Sequence, residues 1–219
     1  MKLGANQKFL LIGDSITDCG RKQPVGEGRD DALGKGYVAQ VNAMLLAAHP
    51  ELAVRVVNMG TSGNTVRSLR DRWQRDVLEL RPDWLSVMIG INDVWRQFDQ
   101  PFQHEIHVHI EEYETTLRQL IGEVRPSLQG LVLLPPYYLE PNRSDPMRAM
   151  MDRYGQVVRR IAAEQGAIFV DVQAAFDRAL EHVYPAALAW DRVHPNAAGH
   201  MVITHALLEA LGFSWPAGA

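Results

Sequence analysis

The sequence predicts an α/β fold, a five-stranded parallel sheet between two layers of helix. Three observations carry that prediction. Short apolar runs alternate with longer stretches of helical spacing, which is the pattern of β–α units. The short runs are apolar on both faces, as strands covered from both sides must be. The 219 residues are 47% hydrophobic and contain no internal repeat, low-complexity stretch or linker-like segment, so residues 1–219 are read as one domain.

Residues 9–12 (FLLI) form the first expected strand, and residues 37–48 a helix ended near His49-Pro50. Residues 54–57 are the second strand. Residues 65–80 place Val66, Leu69, Trp73, Val77 and Leu80 at steps of three and four, the spacing of a helix with one apolar face, stopped by Pro82. Residues 84–89 are the third strand and 104–124 a long helix. Residues 131–134 are the fourth strand, closed by Pro135-Pro136. Residues 146–165 are another helix and 167–170 the fifth strand. A last helix starts at Asn196, a favourable N-cap, and runs to about residue 211.

The composition excludes several classes of function. A net charge of −4 argues against a nucleic-acid partner. The single Cys19 can form no internal disulfide and no multi-thiolate zinc site. The opening apolar run is shorter than the 7–15 or so residues of a secretory h-region, and no segment approaches the roughly 20 apolar residues of a membrane span. A cytoplasmic protein without a membrane partner is expected.

In parallel sheets, ligands sit beyond the carboxyl ends of the strands, at the point where strand order reverses. Three notable segments fall there. Gly13-Asp14-Ser15-Ile16-Thr17 follows the first strand, where an exposed serine suits a nucleophile and a helix cap is the plain alternative. Asn58-Met59-Gly60-Thr61-Ser62-Gly63-Asn64-Thr65 follows the second; its two glycines suit close backbone approach to a ligand, or simply a tight turn. Gly90-Ile91-Asn92-Asp93 follows the third, where Asn92 can donate to an oxyanion or make an Asx turn. Near the C-terminus, Asp191 and His194 lie three apart before Pro195, as an acid and base orienting one another or as a salt-bridging loop.

These four blocks, in this order, resemble the SGNH subgroup of GDSL hydrolases. The segments GDSITDCGR, NMGTSGNTVR, IGINDVWRQ, DPMRAMMDRYG and YPAALAWDRVHP are similar to bacterial intracellular acetylxylan esterases of that superfamily. The resemblance implies a flavodoxin-like three-layer sandwich and a serine carbohydrate O-acetylesterase that acts on acetylated xylo-oligosaccharides. It puts the nucleophile at Ser15, the general base at His194 and its orienting carboxylate at Asp191. The oxyanion donors are the backbone N–H groups of Ser15 and Gly63 and the Asn92 side chain. Beside these, Asp14, Asn64, Trp95, Arg96 and Trp190 are candidate substrate contacts, with Trp95 and Arg96 read either as a pocket wall or as part of the core. No metal or cofactor is implied. The block reads Gly-Asp-Ser-Ile where the family pattern has Leu fourth, a departure confined to a core-facing position. Rival readings are a thioesterase, a lysophospholipase, an acetylhydrolase for another sugar, or a carbohydrate-binding protein on the same fold.

The apolar loop of residues 184–190, with Tyr184 and Trp190, either packs on its own domain or joins subunits of a homo-oligomer. His104, His107 and His109 are spaced poorly for one metal and read as a solvated helix start. Residues 28–36 (GRDDALGKG) have five residues between the relevant glycines and no Ser/Thr after the lysine, so they make no phosphate loop. The stretch 20–36 is expected as a long loop beside the nucleophile, and Cys19 as an inert thiol.

Overall fold

A computed structural model describes residues 1–216. Its centre is a five-stranded, all-parallel sheet of β1 (Lys8–Gly13), β2 (Arg55–Gly60), β3 (Trp84–Met88), β4 (Gly130–Leu134) and β5 (Ile168–Phe169), in the order β2-β1-β3-β4-β5. Phe9, Leu10, Leu11 and Ile12 are fully buried, and the inner strands β3 and β4 are buried along their whole length. That explains why these runs are apolar without alternation.

The helices are α1 (Ser15–Asp18), α2 (Tyr37–Ala48), α3 (Val66–Trp73), α4 (Ile91–Asp99), α5 (Ile110–Val124), α6 (Pro146–Glu164), α7 (Val172–Leu180) and α8 (Ala197–Ala210). From β1 the chain steps outward to β2, then reverses across β1 to β3 and onward. With right-handed crossovers that reversal puts α2 on one face and α3, α5 and α6 on the other. The contacts agree, since α8 packs on α2 and α7, α3 on α5, and α4 and α5 on α6. The switch point therefore lies between β1 and β3.

Register gathers the strand ends. Gly13 pairs with Gly60 on one side and Met88 on the other, so the segments that follow the three strands emerge at one edge. A Cβ on Gly13 would lie 2.3 Å from the Met88 carbonyl oxygen and 2.4 Å from Thr17 Oγ1. Only glycine lets the strands close this tightly just before the first turn.

Several expected elements are redrawn. The helix expected over 104–124 begins at Ile110, preceded by a 3₁₀ turn at His104–Ile106. The carbonyls of Glu105 and His107 accept from the Arg67 guanidinium instead of helix N–H groups. His107 is buried rather than solvated, its Nε2 held to the Gln100 carbonyl at 3.0 Å. The helix over 65–80 ends as α-helix at Trp73 and continues as one π-helical turn, Gln74–Leu78. Helices α4 and α7 stand where no element was expected, and the stretch 20–36 contains a 3₁₀ turn at Asp30–Leu33. Among the described residues no helix is long and apolar enough to cross a membrane.

Candidate active site

Ser15 opens α1, two residues beyond the end of β1. Asp14 caps that helix by accepting from the Ile16 N–H at 3.0 Å. The Ser15 hydroxyl lies 2.9 Å from His194 Nε2, and His194 Nδ1 lies 2.6 Å from Asp191 Oδ2. The other oxygen of Asp191 accepts the backbone N–H groups of Val193 at 3.0 Å and His194 at 2.7 Å. Partial burial works against the Asp191 charge. The bonds from the His194 ring and the two backbone donors outweigh it and hold the carboxyl below its usual range. An ionised Asp191 accepts the Nδ1–H hydrogen bond, which leaves Nε2 without a proton and facing the serine hydroxyl.

The loop that carries this pair is built from several directions. Tyr137 Oη donates to the Val193 carbonyl at 3.2 Å, and the Leu139 N–H to the Arg192 carbonyl at 3.0 Å. Asn196 ties the far side to the Leu188 and Ala187 carbonyls. The segment after β4 thus supports the acid and base without touching the nucleophile. That role is invisible in the sequence because it depends on a contact 56 residues away.

Three further donors lie on the segments that follow β1, β2 and β3. The N–H groups of Ser15 and Gly63 have no intramolecular acceptor among the described residues. Gly63 holds φ +78°, and a Cβ there would meet nothing within 4 Å, so conformation rather than crowding calls for glycine. Asn92 sits in the first turn of α4, only 2% exposed. Its Nδ2 donates to the Asn64 carbonyl at 3.0 Å, and its Oδ1 accepts from Arg96 at 3.2 Å.

A buried arginine joins these pieces from below. Arg72 donates to the carbonyls of Gly13 (2.8 Å) and Met59 (2.7 Å), to Asn64 Oδ1 (2.6 Å) and to Asp76 (2.9 Å). It binds the ends of β1 and β2 and the Gly63-Asn64 turn in one hand. Its sequence signal was the Arg72/Asp76 pair, four apart on the same helix face as Leu69 and Trp73. Asp93 is a second unforeseen anchor. It is fully buried, caps α3 through the Val66 N–H at 3.0 Å, and is pushed by burial up to about 7.

The expected substrate contacts divide. Asp14 is 1% exposed, and burial pushes its carboxyl up to about 7, so a ligand cannot reach it; this position is a helix cap. Asn64 spends its side chain on Arg72 and its carbonyl on Asn92, making it a brace within the turn. Trp95 is half-buried, its ring 5.7 Å from that of His194, and Arg96 lies over its face at 4.9 Å. Trp190 is 88% exposed and Tyr184 72%, although Leu188 and Ala189 between them are buried. Of the two readings of this loop, packing on its own domain therefore fails for its aromatics. Cys19, at the end of α1, lies 3.1 Å from His200 Nε2, whose Nδ1 accepts the Tyr37 N–H. Burial lifts the thiol to about 11, leaving it neutral.

Residues 11–202 match the GDSL-like lipase/acylhydrolase family. An acetylxylan esterase from Geobacillus stearothermophilus is 58% identical over 215 residues, covering 98% of each chain. The crystal structure of Axe2, an acetylxylan esterase from that organism, superposes with a TM-score of 0.98 at 57% identity over the whole of both chains. So does a catalytic mutant of Axe2, S15A. LAE5, an α/β hydrolase from the metagenome of Lake Arreo, Spain, superposes with a TM-score of 0.95 at 56% identity, covering 97% of this chain and 98% of its own.

Proposed function

This chain belongs to the GDSL-like lipase/acylhydrolase family, and from that membership we propose a serine carbohydrate O-acetylesterase acting on acetylated xylo-oligosaccharides. It is a carboxylic ester hydrolase. The observation that carries the reading is the file Ser15–His194–Asp191, joined at 2.9 and 2.6 Å beside a set of free N–H donors. The choice of an acetylated xylo-oligosaccharide is supported by near-full-length similarity to an acetylxylan esterase.

The chemistry follows from the geometry. Ser15 Oγ attacks the ester carbonyl carbon while His194 Nε2 takes the hydroxyl proton. The imidazolium that forms is held by the ionised Asp191, which keeps its own charge throughout. Negative charge grows on the carbonyl oxygen between the N–H groups of Ser15 and Gly63 and the Asn92 amide. One such donor is worth about 3–4 kcal/mol of barrier. Collapse breaks the bond to the sugar oxygen, which leaves with the proton from Nε2 as a hydroxyl. Water then attacks the acetyl group on Ser15, giving its proton to Nε2, and acetate departs as Ser15 recovers a proton. Trp95, beside the His194 ring, forms a wall of the pocket.

The same reading makes the chain a homo-oligomer, with the exposed Tyr184 and Trp190 as the contact between copies. It works in the cytoplasm, where the single thiol stays reduced and short sugar chains are the available substrate. The test is acetate release from acetylated xylo-oligosaccharides, followed by NMR, with Ser15→Ala as control. Wild type should release acetate, and Ser15→Ala should retain less than a few per cent of that rate with its fold intact. Equal hydrolysis of long-chain acyl esters, or activity surviving in Ser15→Ala, would refute the reading.

A further inference from the structure

We propose that Arg96 is a positioning residue for the oxyanion site, fixing which way the Asn92 amide faces. This rests on the reading of Asn92 as an oxyanion donor and deepens it. An asparagine side chain presents an oxygen on one side and an NH₂ on the other. Only the NH₂ can stabilise a negative carbonyl oxygen, while a flipped amide would aim lone pairs at it. The choice must therefore be imposed by neighbours.

Two neighbours impose it. Arg96 lies four residues on, along the same face of α4, and its Nη2 is 3.2 Å from Asn92 Oδ1. A guanidinium only donates, so the atom facing it must be the oxygen. On the other side, the Asn64 carbonyl is 3.0 Å from Nδ2. A carbonyl only accepts, so the atom facing it must be the nitrogen. The orientation thus follows from the chemistry of both partners and not from one bond. One Nδ2 hydrogen is spent on Asn64, and the second is left for the ligand.

Arg96 is itself held in place. It pairs with Asp99, three residues along the helix, and lies over the Trp95 ring at 4.9 Å. Its other contacts keep the guanidinium turned towards Asn92. Because Asn92 is almost wholly buried, no water can replace Arg96 cheaply as donor to Oδ1. Arg96 is only partly buried, so its replacement should leave the fold standing.

The experiment compares Arg96→Met, Asn92→Ala and the double variant on p-nitrophenyl acetate and on an acetylated xylo-oligosaccharide. Arg96→Met should lower kcat about tenfold on both substrates, since both share the acetyl carbonyl, with KM within about twofold and the protein still folded at the assay temperature. In the Asn92→Ala background the Arg96 substitution should add almost nothing. Arg96→Lys, which keeps a donor, should recover part of the loss. A rise in KM confined to the sugar substrate would overturn the proposal and make Arg96 a substrate contact. Full additivity with Asn92→Ala, or a loss that only tracks Tm, would also overturn it. If Asn92→Ala itself costs nothing, the oxyanion reading fails and the positioning proposal with it. If Asn92→Ala is slow and Arg96→Met is not, the positioning proposal alone fails.

Discussion

Replacing Asp191 by asparagine should be at least as damaging as replacing it by alanine, although asparagine is the closer mimic. The reason lies in how the carboxylate is held. Oδ1 accepts two backbone N–H groups, at 3.0 and 2.7 Å, and only an oxygen can stand there. In Asp191→Asn the amide oxygen must take that position, which places the NH₂ where Oδ2 stands, 2.6 Å from His194 Nδ1. A donor facing Nδ1 drives the ring proton to Nε2. Nε2 then points a hydrogen at Ser15 Oγ and can no longer accept one. In Asp191→Ala the ring loses its anchor but can still take the productive tautomer. The asparagine variant should lose about 10⁴ in kcat, or roughly 5 kcal/mol of barrier, by analogy with the wrong-tautomer variant of serine proteases. Initial rates on p-nitrophenyl acetate for both variants, with circular dichroism to confirm folding, make the comparison. If Asp191→Asn hydrolyses tenfold faster than Asp191→Ala, tautomer control is the wrong account and Asp191 acts by orientation alone.

Two further outcomes follow from buried groups. Asp93 has its folded-state value raised by burial from 3.8 to about 7, so the fold holds its proton more tightly than the unfolded chain does. The stability this contributes is full below about pH 4 and is lost as pH rises through about 7. Asp93→Asn should therefore flatten the fall in urea midpoint between pH 5 and pH 8, and an unchanged slope would count against it. Tyr137→Phe removes the donor to the buried Val193 carbonyl and should cost about 1–3 kcal/mol in urea denaturation. It should also slow kcat several-fold by loosening the His194 loop; a variant with wild-type stability and rate would deny Tyr137 that supporting role.

The parts of this molecule legible in the sequence are those whose cause is local. Strands β1, β3 and β4 announced themselves because burial on both faces leaves unbroken apolar runs. The C-terminus of α2 was marked by His49-Pro50, and the start of α8 by Asn196, whose side chain caps Ala198 and Gly199. Helix α4 was missed because it starts directly after Gly90 without a side-chain cap, and its opening Asn92-Asp93 reads as a turn. Helix α7 was missed despite its signals: Asp171 caps Ala174, and Val172, Ala175 and Phe176 form a buried face. At the site, the family resemblance led to the Ser15–His194–Asp191 contact, and the switch-point rule to the edge where the segments of Ser15, Gly63 and Asn92 follow their strands. Asp93 and Tyr137 could not be read in this way, because each acts through a contact between segments distant in sequence, and Arg72 left only its pairing with Asp76 as a sign. Asp14 was misassigned for a related reason. Position beside a nucleophile says nothing about exposure, and its carboxylate turns inward to the helix it caps.

The hydroxyl of Ser15 and the ring of His194 meet across 179 positions of chain. The acid and base, by contrast, lie on one turn, and α8, which follows them, docks on α2 through the bond from the Tyr37 N–H to His200. During synthesis, then, the nucleophile emerges well before its base and stays chemically idle until α8 has followed and closed against α2. The appearance of turnover in a refolding experiment is accordingly a late event. It requires a contact between segments 179 positions apart, while the rise of helical signal reports only local structure.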